Sequence, residues 1–215
     1  MNKNREDNVT AIIQARMNSS RFPGKVLQKI GGVTVIEHMI SRVRQIQKIS
    51  DLLVATSYHK NDDKIISICK NLQVKYFRGD EHDVLSRFYH AGKHYSARHI
   101  LRLTADCPMI DPDIADKIIE IYFKKNLDYC SNTVERTFAD GLDVEIFKFR
   151  LLSLAKNKTN KLNYREHVTS YFNGKYKTSD KFFTYQYKFN KNFSYVRLTL
   201  DTLKDLTNIN KIIKI

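Results

Sequence analysis

Three cations, Arg16, Arg21 and Lys25, fall within ten residues in the stretch V-T-A-I-I-Q-A-R-M-N-S-S-R-F-P-G-K, residues 9–25. Asn18, Ser19, Ser20, Pro23 and Gly24 stand between them, small or turn-forming residues that let a loop bend its side chains and N–H groups toward one point. That spacing suits a polyphosphate, because Arg forks onto phosphate oxygens and Lys adds a point charge. A solvated basic loop is the plainer alternative. Two carboxylates sit comparably: Asp106 after I-L-R-L-T and Asp201 after V-R-L-T-L. Converging on one rim with the cations, they could hold Mg²⁺, which takes one or two carboxylates along with phosphate oxygens and water. Each is also placed to cap the helix after it, Asp201 especially, since D-T-x-x-D-L is a good helix start.

Three further clusters carry polar chemistry. In F-R-G-D-E-H-D-V-L-S-R-F, Arg78, Asp80, Asp83, Ser86 and Arg87 form a rim suited to a base or ribose. Alternatively, Asp83 only caps a helix and Arg87 lies on its solvated face. In A-D-G-L-D-V-E, Asp140, Asp143 and Glu145 are available, and Asp143 and Glu145 alternate about Val144, so they share one face of a strand. They suit sugar hydroxyls or an ordinary exposed face. In Y-R-E-H-V-T-S-Y, Arg165, Glu166 and His167 occupy the first turn of a predicted helix, where Arg165 suits an anionic acceptor. His90 and His94 lie four apart on a helix, but no acidic third ligand stands near, which argues against zinc. Neither a P-loop, a G-x-G-x-x-G nor a G-x-S-x-G is present.

The elements that must position these groups follow from hydrophobic pattern. Val9–Ile13 is a buried strand that feeds the cationic loop. Thr34 and Glu37 form a capping box, and Val35, Ile36, Met39, Ile40, Val43 and Ile46 make one helical stripe over 34–48. Strands are predicted at 51–56, 74–77 and 100–104. Helices are predicted from Asn61, over 83–95, and from Asp111-Pro112, where proline suits the first helical position. Strands alternating with helices about every 25 residues imply βαβ units and a mostly parallel sheet, that is, an α/β domain. The regularity lapses near residue 128. After it come a predicted strand at G-L-D-V-E-I-F, helices at 148–157 and 164–173, a Tyr/Phe-rich strand, a strand at 196–200 and a short closing helix. A single domain over 1–215 is expected, its halves meeting near 127/128.

Size and composition agree with this. The chain has 215 residues with 42% hydrophobic, enough for a core. No apolar run approaches the roughly 18 residues of a membrane span, and M-N-K-N-R-E-D-N lacks a signal-peptide apolar region, so a cytoplasmic protein is expected. Cys69, Cys107 and Cys130 are odd in number and widely spaced, which reads as core thiols. The net charge of +14 suits a nucleotide substrate as well as nucleic acid. Much of that charge is Lys interleaved with Asn, Tyr and Phe between Lys156 and Lys191, with no nucleic-acid-binding motif spacing.

Eight stretches taken in order resemble the cytidylyltransferase family: I-I-Q-A-R-M-N-S-S-R-F-P-G-K-V-L, L-L-V-A-T-S, F-R-G-D-E-H-D-V-L-S-R-F, L-R-L-T-A-D-C-P-M-I-D-P, D-Y-C-S-N, D-G-L-D-V-E-I-F, R-E-H-V-T-S-Y and L-D-T-L-K-D-L. The family includes 3-deoxy-manno-octulosonate and acylneuraminate cytidylyltransferases, and the resemblance is strongest to its spore-coat polysaccharide biosynthesis protein F branch. It implies a Rossmann-like αβα sandwich of the nucleotide-diphospho-sugar transferase type, with CTP as cosubstrate and Mg²⁺ as cofactor. By motif, Gln14, Ala15, Arg16, Arg21 and Lys25 would bind the nucleotide, with Arg16, Lys25 and Asp106 as the catalytic set. Asp106 and Asp201 would hold the metal, and Arg78, Asp83 and Arg87 would lie near base and ribose. Asp143, Glu145, Arg165 and His167 would face an anionic sugar acceptor, and a homodimer through the second half is implied. One departure is Leu203, where the closing motif usually has proline; this and an early chain end bear on the packing of the last helix. The alternatives are a nucleotidyltransferase for another NTP, a glycosyltransferase on the same fold, and a basic nucleic-acid-binding module. A single Asp106 rather than D-x-D after the fourth strand speaks against the glycosyltransferase.

Overall fold

The structure, a computed structural model, describes residues 8–174 and 180–213. Along the chain come β1 (Val9–Gln14), a hairpin of β2 (Lys29–Ile30) and β3 (Val33–Thr34), α1 (Val35–Val43), β4 (Asp51–Ser57), α2 (Asp63–Asn71) and β5 (Lys75–Gly79). There follow α3 (Val84–His94), β6 (His99–Thr104), α4 (Pro112–Lys124), β7 (Tyr129–Ser131), β8 (Glu145–Lys148), α5 (Arg150–Lys158), α6 (Leu162–Glu166), β9 (Thr184–Gln186) and α7 (Leu203–Ile213).

One sheet carries the molecule, in the order β5-β4-β1-β6-β8-β7-β9. β5, β4, β1 and β6 are mutually parallel, whereas β8 runs antiparallel between β6 and β7, and β9 lies parallel to β7. From β1 the chain first builds outward through β4 and β5, then returns to place β6 on β1's other side. That reversal opens a crevice at the carboxyl ends of β1 and β6, where ligands bind in open α/β sheets.

Successive residues of β1 show why helices lie on both faces. Ala11 and Ile13 pack with Ile36, Met39, Ile65 and Ile118 of α1, α2 and α4. Ile12 points the other way, among Phe88, Ala91 and Leu151 of α3 and α5. Local signals set the helix starts. Thr34 accepts from the Glu37 amide while Glu37 accepts from the Thr34 amide at 2.8 Å, the expected capping box. Asp111 caps α4 ahead of Pro112, and Asp83 caps α3. A third cluster of Ile30, Val35, Leu200 and Ile209 seats α7 against the β2–β3 hairpin, so Leu203 begins a helix that packs.

Two expectations for the second half are corrected. Residues 164–173 do not form a helix: α6 ends at Glu166, and Val168 adopts φ 46°, a left-handed conformation that a β-branched residue takes only when packing holds it there. Arg165 and Glu166 therefore end a helix rather than start one, and His167 lies beyond it. Residues 196–200 form no ladder strand; their contact with a strand-like partner is the single bridge between Asp140 and Arg197. The three cysteines are free and buried, in keeping with core thiols.

Candidate active site

The loop after β1 closes on itself. The Gly24 amide donates to the Met17 carbonyl at 2.8 Å, and Gly24 takes φ 71°, open to a glycine without strain. A buried carboxylate fixes the loop's base: Asp62 accepts from the Met17 amide at 2.8 Å, from Thr56 Oγ1 at 2.8 Å and from the Ser57 amide at 2.9 Å. The turn at Lys25–Leu27 then sends Lys25 inward, only 7% exposed.

Lys25 Nζ donates to Asp106 Oδ2 at 3.0 Å and to Asp201 Oδ1 at 2.9 Å. Arg21 pairs with the other oxygen of Asp201 at 2.8 Å, as does Arg197 at 2.9 Å. Asp106 after β6, Asp201 just before α7 and two of the three loop cations thus meet at one point. Burial works against ionisation of Asp106, but the Lys25 ammonium and hydrogen bonds from Thr104 and Lys25 outweigh it and hold the carboxyl below its ordinary range. The Asp106 side chain keeps 28% exposure, whereas Asp201 keeps 4%.

Three depressions adjoin along this rim. One of about 190 Å³ is lined by Gln14, Ala15, Arg16, Arg21, Lys25 and Asp106. A broader one of about 710 Å³ shares Arg16, Ser19, Ser20 and Glu166 with it and adds Asn18, Glu81 and His82. The third, about 300 Å³, shares Thr104 and is lined by Asp143, Glu145, His167, Thr133 and Asn173.

Other residues singled out in the sequence already have partners within the fold. Arg78 spends its donors on the carbonyls of Ser57 and His59 and on Asp63, bracing the ends of β4 and β5. Arg165 pairs with Asp83 at 2.9 Å, whose other oxygen caps α3, so these two tie α6 to α3. Arg87 is 1% exposed; its stem lies across Gly79, where a Cβ would come within 2.8 Å of it, and its NH1 donates to the Asp80 carbonyl at 2.6 Å. Burial, with nearby Arg16, pushes Arg87 down to about 10. Glu145 lines the third depression but is already engaged by Arg102, by Tyr129 OH at 2.7 Å and by Thr169 Oγ1 at 2.7 Å. Asp143 is paired with Arg136 at 2.5 Å.

Sequence reasoning did not single out Asp62, Arg102, Arg136 or Arg197. Arg102 stands opposite Glu145 in the β6–β8 register, a pairing only the sheet order reveals. Asp106 and Asp201 each present an oxygen to one cationic position, filled here by the Lys25 ammonium; two such carboxylates are the kind of donor set that Mg²⁺ takes alongside substrate phosphates. Among the described residues no group of three or more His, Cys, Asp or Glu is placed to hold a metal ion.

Comparison with known proteins places the chain as a whole in a family. The sequence model described as "Cytidylyltransferase" matches residues 10–214. The chain is 38% identical to the uncharacterized protein MJ1063 of Methanocaldococcus jannaschii, over 92% of this chain and 79% of that one. It is 32% identical to the spore coat polysaccharide biosynthesis protein SpsF of Bacillus subtilis, covering 94% of this chain and 85% of SpsF. Similarity to the 3-deoxy-manno-octulosonate cytidylyltransferase of Geobacter sulfurreducens, also 32% identical, spans 52% of this chain and 44% of that enzyme. Among solved structures, a cytidylyltransferase from Leptospira borgpetersenii superposes with a TM-score of 0.91 at 33% identity, covering 96% of this chain and 87% of that one.

Proposed function

The chain belongs to the cytidylyltransferase family, a CTP-dependent nucleotidyltransferase, and from that premise we propose that it carries CMP from CTP to an anionic sugar, a sugar acid or sugar phosphate, releasing pyrophosphate. The product serves surface polysaccharide or glycan synthesis, in line with the name of SpsF, a spore coat polysaccharide biosynthesis protein. The observation that carries the reading is Lys25 held between Asp106 and Asp201 at the sheet's crevice, with Arg16 and Arg21 beside it.

In this reading Arg16, Arg21 and Lys25 grip the triphosphate over a floor of Gln14 and Ala15, and the nucleoside extends into the broader depression beside Glu81. The acceptor occupies the depression lined by Asp143 and His167, one residue, Thr104, away from the phosphates. An acceptor oxygen bonds to the α-phosphorus as the bond to the β-phosphate bridging oxygen breaks; a hydroxyl acceptor gives up its proton, and a phosphate acceptor attacks as an anion. The loop neutralises charge and sets in-line geometry, which is most of what phosphoryl chemistry asks of a protein. Asp106 and Asp201 would hold Mg²⁺, which would add to the neutralisation of the phosphate oxygens.

A homodimer through the second half, where Phe183 and Tyr195 are 76% and 79% exposed, and a cytoplasmic location complete the proposal. No helix among the described residues is long and apolar enough to cross a membrane. The test is pyrophosphate release from each of the four NTPs against a panel of nonulosonic acids and sugar 1-phosphates. Release with CTP and one acceptor class is expected. Turnover with a purine nucleotide instead would overturn the cytidylyl assignment, and light scattering reads the oligomeric state.

A further inference from the structure

We propose that Arg197 is a positioning residue for this site: it fixes the Asp201 carboxylate and, through it, the Lys25 ammonium. The proposal rests on reading Lys25, Asp106 and Asp201 as the reacting centre.

The three nitrogens of the Arg197 guanidinium reach three carboxylates, NH2 also touching Asp205 Oδ2 at 3.4 Å. Nε donates to Asp205 Oδ1 at 3.0 Å, NH1 to Asp140 Oδ2 at 2.9 Å and NH2 to Asp201 Oδ2 at 2.9 Å. The three partners come from the β7–β8 connection, the segment before α7, and the first turn of α7. Only a planar, multi-donor fork serves three carboxylates in fixed directions; an ammonium does not.

The division of labour on Asp201 is the telling feature. Its Oδ1 faces Lys25, while Oδ2 is shared by Arg197 and Arg21. Among the described residues Arg21 makes that one ion pair, and its side chain is 66% exposed, so it is free to swing to a phosphate. Arg197, anchored by two other carboxylates, stays. It keeps the carboxylate from rotating when Arg21 leaves, and so keeps Oδ1 on Lys25.

The backbone around Arg197 is set with the same care for distance. The Asp140 amide donates to the Val196 carbonyl at 2.9 Å, and the Leu198 amide donates back to the Asp140 carbonyl at 2.6 Å. Gly141 permits this approach: at φ 111° a Cβ there would lie 2.6 Å from the Leu198 carbonyl carbon. Nothing in this arrangement gives Arg197 direct contact with the depression that Arg16 and Lys25 line.

The test is a double-mutant cycle on kcat. Arg197→Ala is expected to lower kcat on the order of tenfold to a hundredfold, as a small misplacement of a reacting group does, with KM for CTP changed by no more than about threefold. On an Asp201→Asn background the same substitution should cost no more than about twofold, because Arg197 acts through Asp201. Asp140→Asn, which removes one limb of the clamp and keeps the backbone bonds, should give a smaller loss with the same non-additivity, and it serves if Arg197→Ala folds poorly. Equal losses in both backgrounds would reduce Arg197 to a support for α7 and overturn the proposal, as would native kcat in Arg197→Ala. If Lys25→Ala and Asp106→Ala are inactive while Arg197→Ala is native, the clamp alone fails. If all three turn over normally, the reacting centre itself is misassigned.

Discussion

The amide of Leu200 donates to the carbonyl of Asp106 across 2.7 Å, and this backbone bond registers the segment before α7 against the end of β6. The two carboxylates on either side of Lys25 are thereby brought together from positions 95 residues apart (201 − 106). The site is thus closed by the last part of the chain rather than built by the loop after β1 alone.

Lys25→Met tests the electrostatic half of that arrangement. The substitution leaves Asp201, only 4% exposed, without the ammonium that faces Oδ1. Arg21 and Arg197 still pair with Oδ2, so the cost is that of one buried oxygen left unpaired, about 1–3 kcal/mol. A lower urea midpoint is expected, with kcat/KM for CTP reduced on the order of a hundredfold because charge stabilisation on the phosphates is lost as well. Unchanged kcat/KM in a folded variant would contradict the role.

Gly141→Ala tests the close approach that lets the closing segment dock. Positive φ and contact with backbone at 2.6 Å together should cost about 3 kcal/mol, or roughly 10 °C in Tm for a chain of this size. Gly32→Ala is the control: φ there is 89°, but a Cβ meets nothing within 4 Å, so only the conformational strain, on the order of 1 kcal/mol, applies. Equal shifts in the two variants, read by calorimetry, would remove the steric argument.

Acid stability should depend on Asp128. Burial opposes its ionisation, but the Phe183 amide, Lys148 and Arg150 outweigh this and hold its carboxyl below the ordinary range. A folded value below the unfolded one means the stabilisation is complete above about pH 4 and is lost as pH falls through the depressed value. Urea midpoints from pH 7 to pH 3 should fall less steeply in Asp128→Asn than in the native protein, and that variant should start less stable at pH 7. Parallel curves would show that Asp128 contributes nothing to the acid limb.

The first half of the fold was legible in the sequence because its signals are local. A buried strand such as Val9–Gln14 is an unbroken apolar run, and α1 and α4 announce themselves by Thr34 with Glu37 and by Asp111 with Pro112. The second half was less so. Residues 196–200 alternate like a strand, yet their partners are the loop at Asp140 and the turn at Asp106, which no periodicity encodes. For the site, Lys25 and Asp106 stood out because turn residues and a strand end mark them, and Asp201 because the apolar alternation before it reads as a strand and D-T-x-x-D-L as a helix start. Arg102, Arg136, Arg197 and Asp62 did not, since each is defined by partners distant in sequence or by burial. Arg78 and Arg165 show the converse: a cation inside a suggestive motif whose donors the fold has already committed to carbonyls and carboxylates.

The most direct measurement is pyrophosphate release by Asp106→Ala at saturating CTP, acceptor and Mg²⁺, alongside thermal unfolding of the same preparation. Asp106 is half-buried at the point where Lys25, Asp201 and the phosphate-sized depression meet. Turnover should be lost while the cooperative unfolding transition is retained, which would assign Asp106 to the chemistry rather than to the fold. A folded Asp106→Ala with near-native kcat would contradict that assignment and move the reacting centre elsewhere in the cleft.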